Sequence, residues 1–301
     1  VDGDVTLPAL GIEDGALNKR LMDEVDTIFG SAATVVFDEP LDESIALNAK
    51  GPLSLLEFAR RCTKRVDFVH VSTAYVNGQL TGRIPEETLP TDRAICDLIN
   101  GNGSRAGLHF NPQEELESCD RLCERVYQEG ADERRLAVFH QEIIREKRSH
   151  GLSEERLRQR VEERRDRRIE RRLVDEGMQR AKRFGWNDVY TFTKGLGEQL
   201  LITRRGDQPL VIVRPSIIES SLTDPEPGWI TGMKVMDPLV AAYGRGLLPD
   251  FPAGRDLVLD VIPVDIVVNA TIGAATQATA DRVPVYQVAT GEENPVLLST
   301  V

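Results

Sequence analysis

Residues 68–78 read Phe-Val-His-Val-Ser-Thr-Ala-Tyr-Val-Asn-Gly, an apolar run that breaks into hydroxyl side chains at Ser72 and Thr73. A short apolar, β-branched run that ends this way reads as a buried strand, here Val66–Val71. Upstream, Leu41–Arg61 carries apolar residues at Ile45, Leu47, Leu53, Leu55, Leu56, Phe58 and Ala59, the pattern of a helix packed on a sheet. Before it, Asp26–Phe29 runs as a strand into Gly30-Ser31-Ala32-Ala33, and Val1–Leu7 reads as the end of another. Strand, helix, strand at this spacing predicts a right-handed parallel crossover. Ser72 and Thr73 would then stand at the carboxyl edge of a parallel sheet, where open α/β folds bind ligands.

A second segment supplies the chemistry. Tyr190-Thr-Phe-Thr-Lys194 places a phenol and an ammonium one helical turn apart, on one face. An unperturbed phenol titrates near ~10, too high for efficient proton transfer at neutral pH. A cation beside it is expected to lower that value and make Tyr190 a usable general acid. The pair by itself is common in helices of no special role, and Thr73 is what gives it context. A hydroxyl at the strand end can hydrogen-bond a substrate carbonyl oxygen as negative charge develops on it. Ser72, one residue earlier, is expected to face the opposite side of the strand and to be structural.

The α/β texture resumes after Asn187. A helix is expected through Leu201, then the strand Leu210–Arg214, a Pro- and Gly-rich region, the segment Leu257–Ile262, a helix over Val264–Ala275 and a strand over Val283–Val288. Thr73 and Tyr190 stand 190 − 73 = 117 positions apart. An ordinary βαβ crossover needs only about 30–40. The excess should bud out as a helical subdomain, giving three regions: 1–82, 83–187 and 188–301. Within it, Leu152–Arg183 alternates Glu with Arg and leaves a thin apolar stripe at Leu152, Leu157, Val161, Ile169, Leu173 and Val174. Its arginines (Arg164, Arg165, Arg167, Arg168, Arg171, Arg172) suit phosphate, including that of a coenzyme A. The plainer reading, a solvated helix paired with its own glutamates, is favoured. Peripheral contact with a membrane surface ranks third, because the apolar stripe is thin.

Composition narrows the field. With 301 residues and 41% apolar side chains, the chain can fill one large core or two modest ones. A net charge of −12 argues against a general nucleic-acid surface. No apolar run is long enough for an integral membrane helix. The four cysteines form no CxxC pair and are expected as free thiols in a reducing, cytoplasmic compartment. The four histidines show no ligand spacing, so no metal is expected.

Gly3–Gly11, Ser31–Glu39, Phe68–Gly78, Tyr190–Glu198, Val211–Ser221, Pro227-Gly-Trp229 and Ile262–Asn269 together resemble the fatty acyl-CoA reductases, a branch of the extended short-chain dehydrogenases/reductases with a male-sterility-type NAD-binding domain. The resemblance implies an α/β, Rossmann-like doubly wound parallel sheet interrupted by a large charged helical insertion. It also implies NADPH-dependent reduction of long-chain fatty acyl-CoA to aldehyde, alcohol or both, an activity that feeds wax ester synthesis. By the same resemblance Tyr190 would protonate the carbonyl oxygen, with Thr73 as hydroxyl partner. Lys194 would tune Tyr190 and hold the nicotinamide ribose. Asp4 and Val5 would approach the adenine, Ala32 and Ala33 the cofactor backbone, and Pro215, Ser216, Ile217 and Ile218 the nicotinamide carboxamide. Asn48 and Tyr190 would also contact the cofactor, Asn48 supporting the site geometry. A sugar-nucleotide epimerase or hydroxysteroid dehydrogenase on the same scaffold, or a non-catalytic binding module, are the rivals.

One expected part is missing. The family's glycine-rich phosphate loop does not occur in this sequence, and there is no initiator Met. Both suggest that the natural start lies upstream, that the chain by itself holds NADPH weakly, and that the activity belongs to the longer protein, with weak or no activity expected of this stretch alone. Gly101-Asn-Gly103-Ser-Arg-Ala-Gly107 is glycine-rich but follows no buried strand, so a lid or capping loop is the better reading.

Overall fold

The computed structural model describes residues 2–99, 110–146, 153–232, 237–248, 254, 257–291 and 293–298. Four parallel strands form the central sheet in the order β1 (Thr27–Gly30), β2 (Asp67–Val71), β3 (Leu210–Pro215) and β7 (Val285–Val288). Gly30 pairs with His70, Val71 with Val213 and Pro215 with Val288, so the carboxyl ends form a staircase along one edge. Two short pairs lie beyond that edge: β4 (Ile217–Glu219) with β6 (Val261–Pro263), and β5 (Val258–Leu259) with β8 (Val296–Leu297).

Side-chain alternation along β2 and β3 separates two cores. Phe68, Leu210 and Ile212 pack under α3 (Gly51–Arg61) and α8 (Val189–Arg204). Val69, Val211 and Val213 pack on the other face with Ala274 of α10 (Val264–Ala275). Helices on both faces of a parallel sheet make this an α/β doubly wound fold, as expected. The remaining helices are α1 (Gly15–Glu24), α2 (Leu41–Ile45), α4 (Ile95–Ile99), α5 (Pro112–Gly130), α6 (Glu133–Arg145), α7 (Glu154–Phe184) and α9 (Asp237–Gly244). Among the described residues, no helix is long and apolar enough to cross a membrane.

Residues 2–7 differ from the strand expected there. Asp4 accepts from the Thr6 amide at 2.8 Å and the Thr6 hydroxyl at 2.7 Å, which turns the chain at once. A 3-10 turn at Pro8–Gly11 follows, closed by the Asp4 amide donating to the Leu10 carbonyl at 2.8 Å. A local side-chain acceptor has outcompeted the sheet ladder. The helix read over Leu41–Arg61 is continuous, but a π-helical turn at Ala46–Lys50 interrupts its α geometry.

The insertion is helical but not separate. Leu116, Cys119 and Leu122 of α5 and Leu173 and Ala181 of α7 share one core with Leu41, Phe192 and Leu196. Among the described residues its far end has a small cluster of its own, Phe139, Ile143 and Val161. The thin apolar stripe of α7 is what docks it. Arg164 pairs with Glu142 and Glu146, Arg172 with Glu129 and Glu176, Arg165 with Asp166, and Arg180 with Glu115. Residues 101–107, with their glycines, lie outside the described residues.

Candidate active site

The N-terminus of α8 carries the first two site residues. Asp188 caps it, accepting from the Thr191 amide at 2.7 Å, while Thr191 Oγ1 faces the Asp188 amide in a reciprocal capping box. Tyr190 is thereby fixed in the first turn and Lys194 in the second. The helix comes close to its neighbours because two of its residues lack side chains. A Cβ at Gly197 would lie 2.3 Å from the Asn48 carbonyl oxygen, and one at Gly195 would lie 2.9 Å from the Trp186 ring.

Tyr190, Lys194 and Thr73 line one cavity of about 440 Å³ at the carboxyl edge of the sheet. Ser72, Pro215, Ser216, Ile217, Ile218 and Ala33 line it as well. Asn48 is fully buried and does not. Its Oδ1 accepts from the Thr34 amide at 3.1 Å and its Nδ2 donates to Thr193 Oγ1 at 3.1 Å. The side chain, set in the π-helical turn, therefore clamps the loop after β1 to α8. Ala32 is exposed and outside the lining. Asp4 and Val5 also lie outside it, in the N-terminal turn, where Val5 would meet a Cβ placed on Gly51.

The electrostatics differ from the expectation for Tyr190. The Lys194 ammonium donates to the Val71 carbonyl at 2.7 Å, at the end of β2. Burial pushes the Tyr190 phenol above its ordinary value; a hydrogen bond with Thr73 pulls it down and the Asp188 carboxylate adds to the rise. Thr73, not Lys194, is thus the group that favours the phenolate here. Burial lowers the Lys194 ammonium to about 8, opposed by Glu198 one turn further along. His70, on the same face of β2, is held neutral by burial and by the Lys194 and Arg214 charges.

Two features escaped sequence reasoning. Ser72 faces the same cavity as Thr73, because β2 ends at Val71 and Thr73 caps a 3-10 turn at Ala74–Asn77; strict strand alternation no longer applies. The Ser72 and Ser216 hydroxyls are both buried and find no hydrogen-bond partner among the described residues. The second feature is an apolar rim. Phe37 packs edge-on against Tyr190 with ring centroids 5.9 Å apart, and Val35, Trp229 and Ile230 continue the wall. The run Val35-Val36-Phe37, apolar where a surface loop should be polar, was the available signal.

Comparison with known proteins gives the family. The family described as Male sterility protein matches residues 1–271. Fatty acyl-CoA reductase 8 of Arabidopsis thaliana is 35% identical over 303 residues, covering 100% of this chain and 53% of that protein. The alcohol-forming fatty acyl-CoA reductase of Simmondsia chinensis is 34% identical over 304 residues, again covering 100% and 53%. The chain spans about half the length of the curated relatives it matches. The terminal R domain of the myxalamid PKS-NRPS pathway superposes with a TM-score of 0.51 at 18% identity, over 99% of this chain and 51% of that one. RMD from Pseudomonas aeruginosa, solved with NADPH, gives 0.50 at 14% identity, over 100% and 69%. The two structures share the fold. The sequence match settles the family: this chain belongs to the male sterility NAD-binding family, alongside the fatty acyl-CoA reductases.

Proposed function

We propose that the protein reduces fatty acyl-CoA with NADPH, using Tyr190 as proton donor. The supporting observation is that Tyr190, Thr73 and Lys194 converge on one cavity whose rim is apolar. An aliphatic chain gains from such a rim, whereas a sugar would leave its hydroxyls unpaired there.

The cavity fits the nicotinamide end of such a cofactor. Ser72 and Ser216 offer buried hydroxyls with no partner among the described residues, and the small side chain of Ala33 leaves room. Pro215, Ser216, Ile217 and Ile218 would lie along the carboxamide, and Lys194 beside the ribose. A reduced nicotinamide bound there supplies the hydride. The chain's own part is orientation and proton delivery. Thr73 and Tyr190 donate hydrogen bonds to the thioester oxygen as charge builds on it. The carbonyl carbon would gain the hydride and the oxygen the Tyr190 proton; that hydroxyl proton would then pass to sulfur as the carbon–sulfur bond breaks, releasing coenzyme A as its thiol and leaving the aldehyde. The aldehyde is the first product, and a second hydride and proton give the alcohol. Lys194 keeps a positive charge beneath the site at neutral pH. Its contact with the Val71 carbonyl anchors it to the strand that carries Thr73.

The test follows NADPH oxidation with palmitoyl-CoA, and NADP+ reduction and epimer formation with UDP-sugars, with the products identified by chromatography. Aldehyde or alcohol from palmitoyl-CoA, formed about 10²–10⁴-fold more slowly in Tyr190→Phe, is the expected result. Oxidation or epimerisation of the sugar nucleotides alone would replace this reading with the epimerase-like one.

A further inference from the structure

Part of the cavity wall comes from a loop that closes on itself. The Ser221 amide donates to the Trp229 carbonyl at 2.9 Å, the Gly228 amide to the Ser221 carbonyl at 2.9 Å, and the Trp229 amide to the Glu226 carbonyl at 3.1 Å. Gly228 sits at φ 82°, a conformation that other residues adopt only with strain. The strap so formed, residues 221–229, is pinned from outside. Asp265, in the first turn of α10, accepts from the amides of Leu222 at 2.9 Å, Thr223 at 2.9 Å and Asp224 at 3.2 Å, and from the Thr223 hydroxyl at 3.1 Å. That many donors hold its carboxyl well below the usual range, so the anchor stays charged at every pH of interest.

The strap delivers Trp229 and Ile230 to the mouth of the cavity, where Trp229 is 42% exposed. Val35 and Phe37, 47% and 48% exposed, form the other apolar part of the rim. Large apolar side chains left this open around a site mark a surface that a ligand covers. The other tryptophan, Trp186, is fully buried and bonded to the Val76 carbonyl at 2.8 Å, so it plays no part in this wall.

We infer that the strap held by Asp265 is a chain-length selector: Trp229 packs on the acyl chain where it leaves the cavity, beyond the first few carbons. The inference rests on the acyl-CoA reading above and assigns to Trp229 the preference for long chains over short ones. Asp265 acts through the strap as a positioning residue.

The experiment measures kcat/KM for acetyl-, octanoyl- and palmitoyl-CoA in the wild type, Trp229→Ala and Asp265→Ala, beside calorimetric titration of palmitoyl-CoA and of coenzyme A itself. In Trp229→Ala the loss on palmitoyl-CoA should exceed the loss on acetyl-CoA by about tenfold, the weight of one to two methylenes returned to water. It should appear mainly in KM. Asp265→Ala should lose the same chain dependence, while a purely structural anchor would lower activity equally on every substrate. Equal losses at all three lengths in Trp229→Ala, or none, would overturn the selector and leave the reaction standing. No turnover of any acyl-CoA, with a chain-dependent affinity that Trp229→Ala removes, would sink the reaction and keep the selector. A wild type that binds palmitoyl-CoA no better than coenzyme A overturns it outright.

Discussion

Arg214 grips Glu198 through two parallel bonds, Nε to Oε1 at 3.0 Å and Nη2 to Oε2 at 2.6 Å, and neither side chain reaches solvent. The pair ties β3 to α8 one turn beyond Lys194, and Arg214 also donates to the Glu87 carbonyl at 3.0 Å. Removing one partner leaves the other charge buried and alone. Glu198→Gln should therefore lower the unfolding free energy by about 3–5 kcal/mol, read from urea titration. A loss under about 1 kcal/mol would match a solvated pair rather than this one.

Lys194 sets a pH window. With its ammonium lowered to about 8, it is charged below that pH and neutral above it. If the charge matters for turnover, kcat/KM falls along an alkaline limb near 8. Lys194→Arg keeps a charge to about pH 12 and should push that limb upward, at a lower absolute rate. A limb that stays in place belongs to another group. Stability has its own sign: between about 8 and 10.5 the folded chain binds fewer protons than the unfolded chain, so stability rises with pH across that window.

Tyr190→Phe removes only a hydroxyl and should cost about 10²–10⁴ in kcat, the usual weight of a positioned general acid. Thr73→Ala should lower kcat as well, with Thr73→Ser restoring most of it. Unchanged circular dichroism and NADPH affinity would show that the losses are chemical. A Tyr190→Phe enzyme within threefold of wild type would remove the phenol from the mechanism.

Gly197 lets α8 touch the π-helical turn. Its missing Cβ would sit 2.3 Å from the Asn48 carbonyl oxygen, a backbone atom that cannot swing away. Gly197→Ala should destabilise the fold by about 1–3 kcal/mol despite its better helix propensity. It should also reduce turnover, because Asn48 and Thr193 would shift with the turn. A more stable Gly197→Ala protein would contradict this packing.

Arg164, Arg165, Arg172 and Arg180 of α7 each pair with a carboxylate. Arg164 and Arg172 hold glutamates from α5 and α6, and Arg168 lies over the Phe139 ring at 5.8 Å. Neutralising Arg167 and Arg171 together should leave the KM for acyl-CoA within twofold. A severalfold rise would restore the coenzyme A reading of that helix.

The sheet, and the convergence of Thr73, Tyr190 and Lys194 on one cavity, were legible because each left a local mark: hydroxyls at the end of an apolar run, and Tyr and Lys one turn apart. What was not legible depended on contacts distant in sequence. Lys194 was expected to lower the Tyr190 phenol, yet its ammonium is committed to Val71, and burial raises the phenol instead. Ser72 was assigned to the wrong face because alternation holds only inside a strand, and β2 stops one residue before it. Asp4 and Thr6 folded the expected first strand into a turn through a bond of two-residue span that a periodicity count ignores. The subdomain expected to bud from the sheet shares its core, since a stripe as thin as that of α7 still has to be buried somewhere.

The burial of α8 has a consequence for heat. From Thr191 to Leu201 every residue of the helix is buried, so the segment that carries Lys194, and Tyr190 at its start, cannot fray while the rest of the protein stays intact. Enzymes that build their sites on mobile loops often lose activity well before they melt. Here inactivation and global unfolding should share one midpoint, and a sublethal rise in temperature should speed the catalyst rather than loosen it.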